Sequence, residues 1–196
     1  MMEHFYNTIG EDWFTYQELY SNMVKHFPDN SLFVEIGSWK GRSASYMAVE
    51  IINSEKNIKF DCIDTWEGSE EHLNSNSYWF QPELVNDKNW LYRTFLQNTK
   101  SVNNIINPIR TTSLEASQYY KDRSIDFVFI DAAHDYENVK ADINAWYPKV
   151  KKGGIIGGHD YPGFEGVVQA VNEFFMIEKN NASLSLKDNY WWHKKS

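Results

Sequence analysis

The sequence predicts an α/β protein built on a doubly wound, mostly parallel seven-stranded sheet with helices on both faces. Three observations carry this. Seven short apolar or aromatic runs are spread along the chain, helical patterns stand between most of them, and Gly, Asp and His gather just after several of the runs. Short runs that are apolar on consecutive residues suit strands buried on both faces, and strands alternating with helices make a parallel sheet.

Taken in order, Thr15 and Glu18 have the spacing of a capping box. Leu19, Met23, Val24 and Phe27 then recur at helical intervals until Pro28 stops the helix. Leu32–Ile36 reads as a buried strand, followed by a glycine-bearing turn and a helix near Arg42–Asn53. Lys59–Ile63 is a second strand, Asn107–Thr112 a short third and Ile125–Ile130 the clearest of all. A helix across Glu137–Tyr147 sets Val139, Ile143, Trp146 and Tyr147 on one side. Gly153–Gly154 leads into a fifth strand at Ile155–Ile156, and Val167–Phe175 is helical. The tail carries strand signals at Leu184–Leu186 and Tyr190–His193, where aromatic side chains favour a pleated surface. His4, His26 and His193 are expected to face solvent, and Cys62 to be core packing.

The segment of about residues 67–96 breaks this rhythm. It sets Tyr78, Trp79, Phe80, Trp90, Tyr92 and Phe95 among Asn, Ser and Glu, and is too long for an ordinary connection. We expect an insertion that covers a pocket, within a single domain spanning 1–196; a surface excursion or a dimer contact are the other readings.

A length of 196 residues suits one domain. The net charge of −8 speaks against nucleic acid or an anionic membrane as the main partner, because phosphate binding wants a basic face. A small-molecule partner is the expectation. Aromatic residues make up 16% of the chain, which hints at an aromatic-lined pocket or a homodimer interface. The single cysteine, Cys62, forms no internal disulfide and suits a reducing compartment. With neither a basic-then-apolar leader nor an apolar stretch near the roughly 20 residues that span a bilayer, the expected setting is soluble and cytoplasmic.

Chemistry first shows in the turn after the first strand, Val34 to Ser43. In an open parallel sheet, ligands bind beyond the carboxyl ends of strands where the strand order reverses. Gly37 and Gly41 allow a sharp turn and a close approach of the backbone to a ligand. The spacing lacks the GxGxxG expected of a dinucleotide site. Asp64 ends the second strand, where a carboxylate can accept both hydroxyls of a ribose; a turn or helix cap is its alternative role. The richest stretches follow the fourth and fifth strands: FIDAAHDY, holding Asp131 and His134, and GGIIGGHDY, holding His159 and Asp160. Adjacent strands lie about 4.8 Å apart, so Asp131 and Asp160 can converge on one hard cation such as Mg²⁺, with His159 as a further ligand.

These stretches resemble class I S-adenosylmethionine-dependent methyltransferases. The Glu35 to Gly41 turn is similar to their motif I. FIDxxHxYxxVxxD and GGxxxxHDY, with IDTW, acidic residues and His72 in between, resemble the branch of macrolide-sugar and catechol-type O-methyltransferases. The likeness runs roughly from Leu32 to Phe175. It implies a Rossmann-like methyltransferase fold and a donor site made by Glu35, Gly37, Ser38, Gly41, Ser43, Asp64 and Asp131, with Ser113 and Leu114 near the adenine. It also implies a metal on Asp131, Asp160 and His159 that acidifies a hydroxyl of a small acceptor, with His134 as the base, at the offset where catechol-type enzymes place a lysine. Alternatives remain: Asp131 as the cap of the next helix, His159–Asp160 as a structural turn, a nicotinamide-dependent oxidoreductase, or a metal-hydrolytic or non-catalytic protein on a related sheet.

Overall fold

The computed structural model describes residues 1–178 and 183–196. Strands β1 (Leu32–Ile36), β2 (Lys59–Asp64), β3 (Ile106–Arg110), β4 (Ile125–Ile130) and β5 (Val150–His159) run parallel. β7 (Tyr190–Lys194) pairs antiparallel with β5, and β6 (Ser185–Lys187) antiparallel with β7. The order across the sheet is β3-β2-β1-β4-β5-β7-β6, so the expected seven-stranded, mostly parallel sheet is what forms.

Both faces are covered because successive side chains of a strand point to opposite sides. Phe33, Phe60, Cys62, Phe127, Phe129 and Ile155 face one core. It is closed by α1 (Gln17–His26), α2 (Arg42–Ser54) and α5 (Trp90–Asn98). Val34, Ile36, Ile63, Val128, Ile130 and Ile156 face the other, under α6 (Ser113–Ser117), α7 (Tyr136–Trp146) and α8 (Glu165–Asn172). The strand order reverses between β1 and β4, and the carboxyl ends of those strands are the place where such a sheet opens a crevice.

Several local expectations are corrected. Thr15 does not cap α1: the residue before the helix is Tyr16, no side chain bonds the first turn, and the Thr15 hydroxyl is used elsewhere. Asp131 does not cap α7 either; Asp135 does, accepting from the Asn138 N–H at 3.1 Å. β5 starts five residues before the expected Ile155, because Gly153 at φ +78° accommodates an irregularity in the ladder with β4 without ending the strand. His193 is buried, with Nδ1 2.8 Å from the Ser183 carbonyl. Cys62 is buried as expected.

Between β2 and β3 lie α3 (Glu70–Leu73), α4 (Pro82–Asn86) and α5. Leu91 and Phe95 of α5 are fully buried against Trp66, so the end of this segment is the crossover itself. Its first half touches the residues that follow β1 and β4, His72 lying against Trp39 and Glu71 beside His134. No helix of the described residues is long and apolar enough to cross a membrane.

Candidate functional site

Gly37 turns the chain at the end of β1 with φ +85°. A Cβ there would stand 1.9 Å from the Asp131 carbonyl oxygen, so the glycine is required by the approach of the β4 end rather than by open space. Gly41, at φ +89°, immediately precedes α2, and a Cβ there would stand 2.7 Å from the Thr99 methyl and 3.1 Å from the Phe95 ring. The backbone between them is pinned by Asp64. Its Oδ2 accepts from the N–H groups of Ser38 (3.0 Å) and Trp39 (2.9 Å), and its Oδ1 accepts from Trp66 (2.8 Å). Burial raises the Asp64 pKa, against the effect of these N–H groups.

Glu35 lies within β1, fully buried, with Oε2 accepting from the Tyr20 hydroxyl at 2.7 Å. Its Oε1 has no partner, and neither has the buried Ser38 hydroxyl beside the turn. Burial pushes the Glu35 carboxyl up to about 7, although Tyr20, Ser38 and Ser43 favour the ionised form. Ser43 is buried in the first turn of α2. Further along the sheet edge, Ser113 accepts from the Trp146 indole N–H at 2.8 Å, and Leu114 is exposed at the start of α6.

The expected acid and histidine residues do converge. Ligand-capable atoms of Asp131, His159 and Asp160 all lie within 4.8 Å of one another. His159 Nδ1 is 3.6 Å from Asp131 Oδ1 and 3.3 Å from Asp160 Oδ1. Burial disfavours charge on His159, but the two carboxylates more than offset it and raise its pKa to about 10. Asp160 feels the opposite pull: burial would raise it, and the two histidines hold it well below the usual carboxylate range. Asp160 has φ +65°, a left-handed conformation that an aspartate tolerates better than most residues and that is frequent where a side chain must be aimed.

His134 stands at the edge of this cluster. Its Nε2 is 3.1 Å from Asp160 Oδ2 and its Nδ1 3.4 Å from Glu71 Oε1. Phe164 stacks on the ring with centroids 4.1 Å apart. Burial opposes protonation of His134, yet Asp160, Asp131 and Glu71 raise its pKa.

Four residues of the site escaped the sequence reading. Thr15 Oγ1 holds His159 Nε2 at 2.8 Å, and the Tyr16 hydroxyl donates to Asp131 Oδ2 at 2.7 Å. Asn189 Nδ2 reaches Asp160 Oδ1 at 3.4 Å, and Glu71 comes from the insertion. The only trace of them in sequence is a polar residue beside an aromatic one ahead of α1, and acids following the IDTW stretch. Trp13, two residues before Thr15, packs edge-on to Trp79 (5.1 Å) and tilts against Trp39 (6.0 Å), which in turn lies against His72 (4.3 Å). Glu11, Trp13, Tyr78, Trp79 and Gln81 line a shallow recess there.

With this geometry in place, comparison with known proteins gives three findings. The model of a family described as a methyltransferase domain matches residues 34–161, the span that holds the β1 turn, Asp64 and the whole Asp/His cluster. The uncharacterized protein R132 of Acanthamoeba polyphaga mimivirus is 30% identical over 174 residues, covering 85% of this chain and 70% of that one. Among solved structures, the O-methyltransferase NovP superposes with a TM-score of 0.66 at 16% identity, covering 92% of this chain and 79% of its own. SMU.1697c of Streptococcus mutans, solved in complex with SAH, superposes with a TM-score of 0.63 at 11% identity, covering 91% and 97%. At these identities the two structures establish the shared fold.

Proposed function

This chain belongs to the methyltransferase domain family, and from that premise we propose that it transfers a methyl group from S-adenosylmethionine to a hydroxyl of a small molecule, such as a sugar or another natural product, with Mg²⁺ or a similar cation assisting. The observation that carries the reading is the meeting of the Asp131–His159–Asp160 cluster with the glycine turn of β1 at the point where the strand order reverses.

The residues fit both groups. At the β1 turn, the buried Glu35 Oε1 and Ser38 Oγ lack partners and await a polar ligand. Ser43 stands beside them, and Asp64, though engaged by three N–H groups, retains acceptor capacity for a ribose hydroxyl. Ser113 and Leu114 follow β3 where the adenine edge would lie. At the cluster, two carboxylates and one imidazole suit a hard or borderline divalent cation. The donor supplies an electrophilic methyl carbon, and the cation supplies positive charge that acidifies a hydroxyl.

The protein's own part is to place and deprotonate the acceptor. His134 takes the hydroxyl proton on a ring nitrogen, and a cation on Asp160 would draw off the charge that now raises the His134 pKa, bringing the imidazole toward the working range of a base. Phe164 fixes the plane of that ring. Tyr16 and Asn189 hold the two carboxylates. Trp13, Trp39 and Trp79 offer flat apolar walls for a ring-shaped acceptor and shed water from the site.

The test is calorimetric titration of S-adenosylhomocysteine, with and without Mg²⁺, into the protein and into His134→Gln. Micromolar binding to both, with methylation of hydroxyl acceptors lowered about 10²- to 10⁴-fold in His134→Gln, is the expected result. Absence of binding under either condition sinks the proposal and leaves the cluster as a hydrolytic or structural metal site.

A further inference from the structure

His159 ends β5 with its ring buried and its two nitrogens turned to different neighbours. Nδ1 faces the carboxylates, 3.6 Å from Asp131 Oδ1 and 3.3 Å from Asp160 Oδ1. Nε2 faces the Thr15 hydroxyl at 2.8 Å. Asn189 also comes within 3.5 Å of Nε2, but with its amide nitrogen, a donor already directed at Asp160 Oδ1. Among the described residues, the Thr15 hydroxyl is therefore the acceptor open to a proton on Nε2. Thr15 is exposed and stands ahead of α1 without capping it, so the bond to His159 is the one use its hydroxyl has among the described contacts.

A neutral imidazole carries a single proton. When Nε2 holds it and donates it to a hydroxyl, Nδ1 keeps a free lone pair, and here Nδ1 is the nitrogen that lies among the carboxylates. We infer that Thr15 is a positioning residue that makes His159 a nitrogen ligand, and that through it the cluster discriminates a divalent first-row transition metal from Mg²⁺. This rests on the proposed cation. Mg²⁺ takes oxygen ligands and keeps its waters, whereas imidazole nitrogen suits the transition metals. Asp131 and Asp160 offer oxygen to either class, so His159 is the ligand that tells them apart. The Tyr16 ring, tilted against the imidazole with centroids 5.0 Å apart, restrains its position. An aromatic face does not decide which nitrogen carries the proton; a hydroxyl bonded to Nε2 does.

The experiment is calorimetric titration of Ni²⁺ and of Mg²⁺, each alone, into the untagged protein and into Thr15→Val, Thr15→Ser, His159→Gln and the double variant of Thr15→Val with His159→Gln. Thr15→Val keeps the branched shape and removes only a hydroxyl at an exposed position, so the fold is expected to survive it. The dissociation constant for Ni²⁺ is expected to rise about tenfold in Thr15→Val, the low end of what losing the partner of a metal-bound histidine costs, because water can take part of the hydroxyl's place. Mg²⁺ binding is expected to stay the same, and Thr15→Ser to recover the Ni²⁺ affinity. Once His159 is Gln, Thr15→Val is expected to cost nothing more, since both substitutions act through one ring. Unchanged Ni²⁺ binding in Thr15→Val, an equal loss of both cations, or a full further loss in the double variant overturns the inference while leaving the cation site intact. If neither cation binds the unsubstituted protein, the cation reading and the inference fall together.

Discussion

At the scale of the residue, Glu35 makes a stability statement as well as a binding one. Its folded-state pKa of about 7 lies above the unfolded value of 4.5, so the folded protein holds the proton over a range where the unfolded chain has released it. Stability therefore falls as pH rises from 4.5 to about 7 and is level above that. Glu35→Gln, which cannot ionise, is expected to be more stable than the unsubstituted protein at pH 8 by up to about 3 kcal/mol, with little difference at pH 5. Thermal melts at the two pH values check this; equal gains at both would mean that ionisation is not the cause. Single residues also mark what was legible in the sequence. Asp131, His134, His159 and Asp160 could be found because each stands at or just after the carboxyl end of a strand whose own signal is strong. Thr15, Tyr16 and Asn189 could not. Thr15 lies 144 positions from His159 and Tyr16 115 from Asp131, and no local pattern encodes contacts over such distances. The capping-box spacing of Thr15 and Glu18 actively misled, since the hydroxyl that might have bonded the helix is spent on a histidine.

At the scale of the element, the strand ends hold one another in place. The Asp131 N–H donates to the Ile36 carbonyl at 2.8 Å, the Gly37 N–H donates to the Ile63 carbonyl at 2.9 Å, and Asp64 pins the turn from β2. Gly37 is where these contacts meet. Gly37→Ala would force a methyl group into the Asp131 carbonyl and strain a positive φ. The expected outcome is a loss of roughly 2–4 kcal/mol of stability, measured by urea unfolding, together with weaker S-adenosylhomocysteine binding. A fully stable Gly37→Ala protein would show that the β1 and β4 ends can separate freely. The mostly parallel sheet and the covering of both its faces followed from alternation and from apolar runs, so they were readable in advance, whereas the strand order came only with the structure. The start of β5 was not, because Gly153 and Gly154 carry no strand signal of their own and are held in the strand by distant partners, Gly153 donating to the Lys195 carbonyl and Gly154 accepting from the Lys195 N–H.

At the scale of the whole molecule, the cluster is an electrostatic problem with two solutions. In this structure His159 stands between Asp131 and Asp160, whose charges favour its protonated form. Its pKa is raised from 6.5 to about 10, so the stability it contributes is complete below 6.5 and is lost as pH rises through 10. A divalent cation is the other solution, and it must displace that proton to use the imidazole. Mg²⁺ or Mn²⁺ at about one hundred times its dissociation constant is expected to add about 2.7 kcal/mol to the unfolding free energy. The gain should vanish with a chelator and in Asp131→Asn. A melting temperature indifferent to both cations would remove the metal from the reaction. The way the site is assembled reaches further still. Thr15, from ahead of α1, grips His159, while Asn189, from the turn before β7, grips Asp160. During synthesis the ribosome must therefore deliver the chain through Asn189 before both clasps can close. The glycine turn and Asp64 thus leave the ribosome long before Asp160 and Asn189, so the Asp/His cluster is the last part of the candidate site to be assembled.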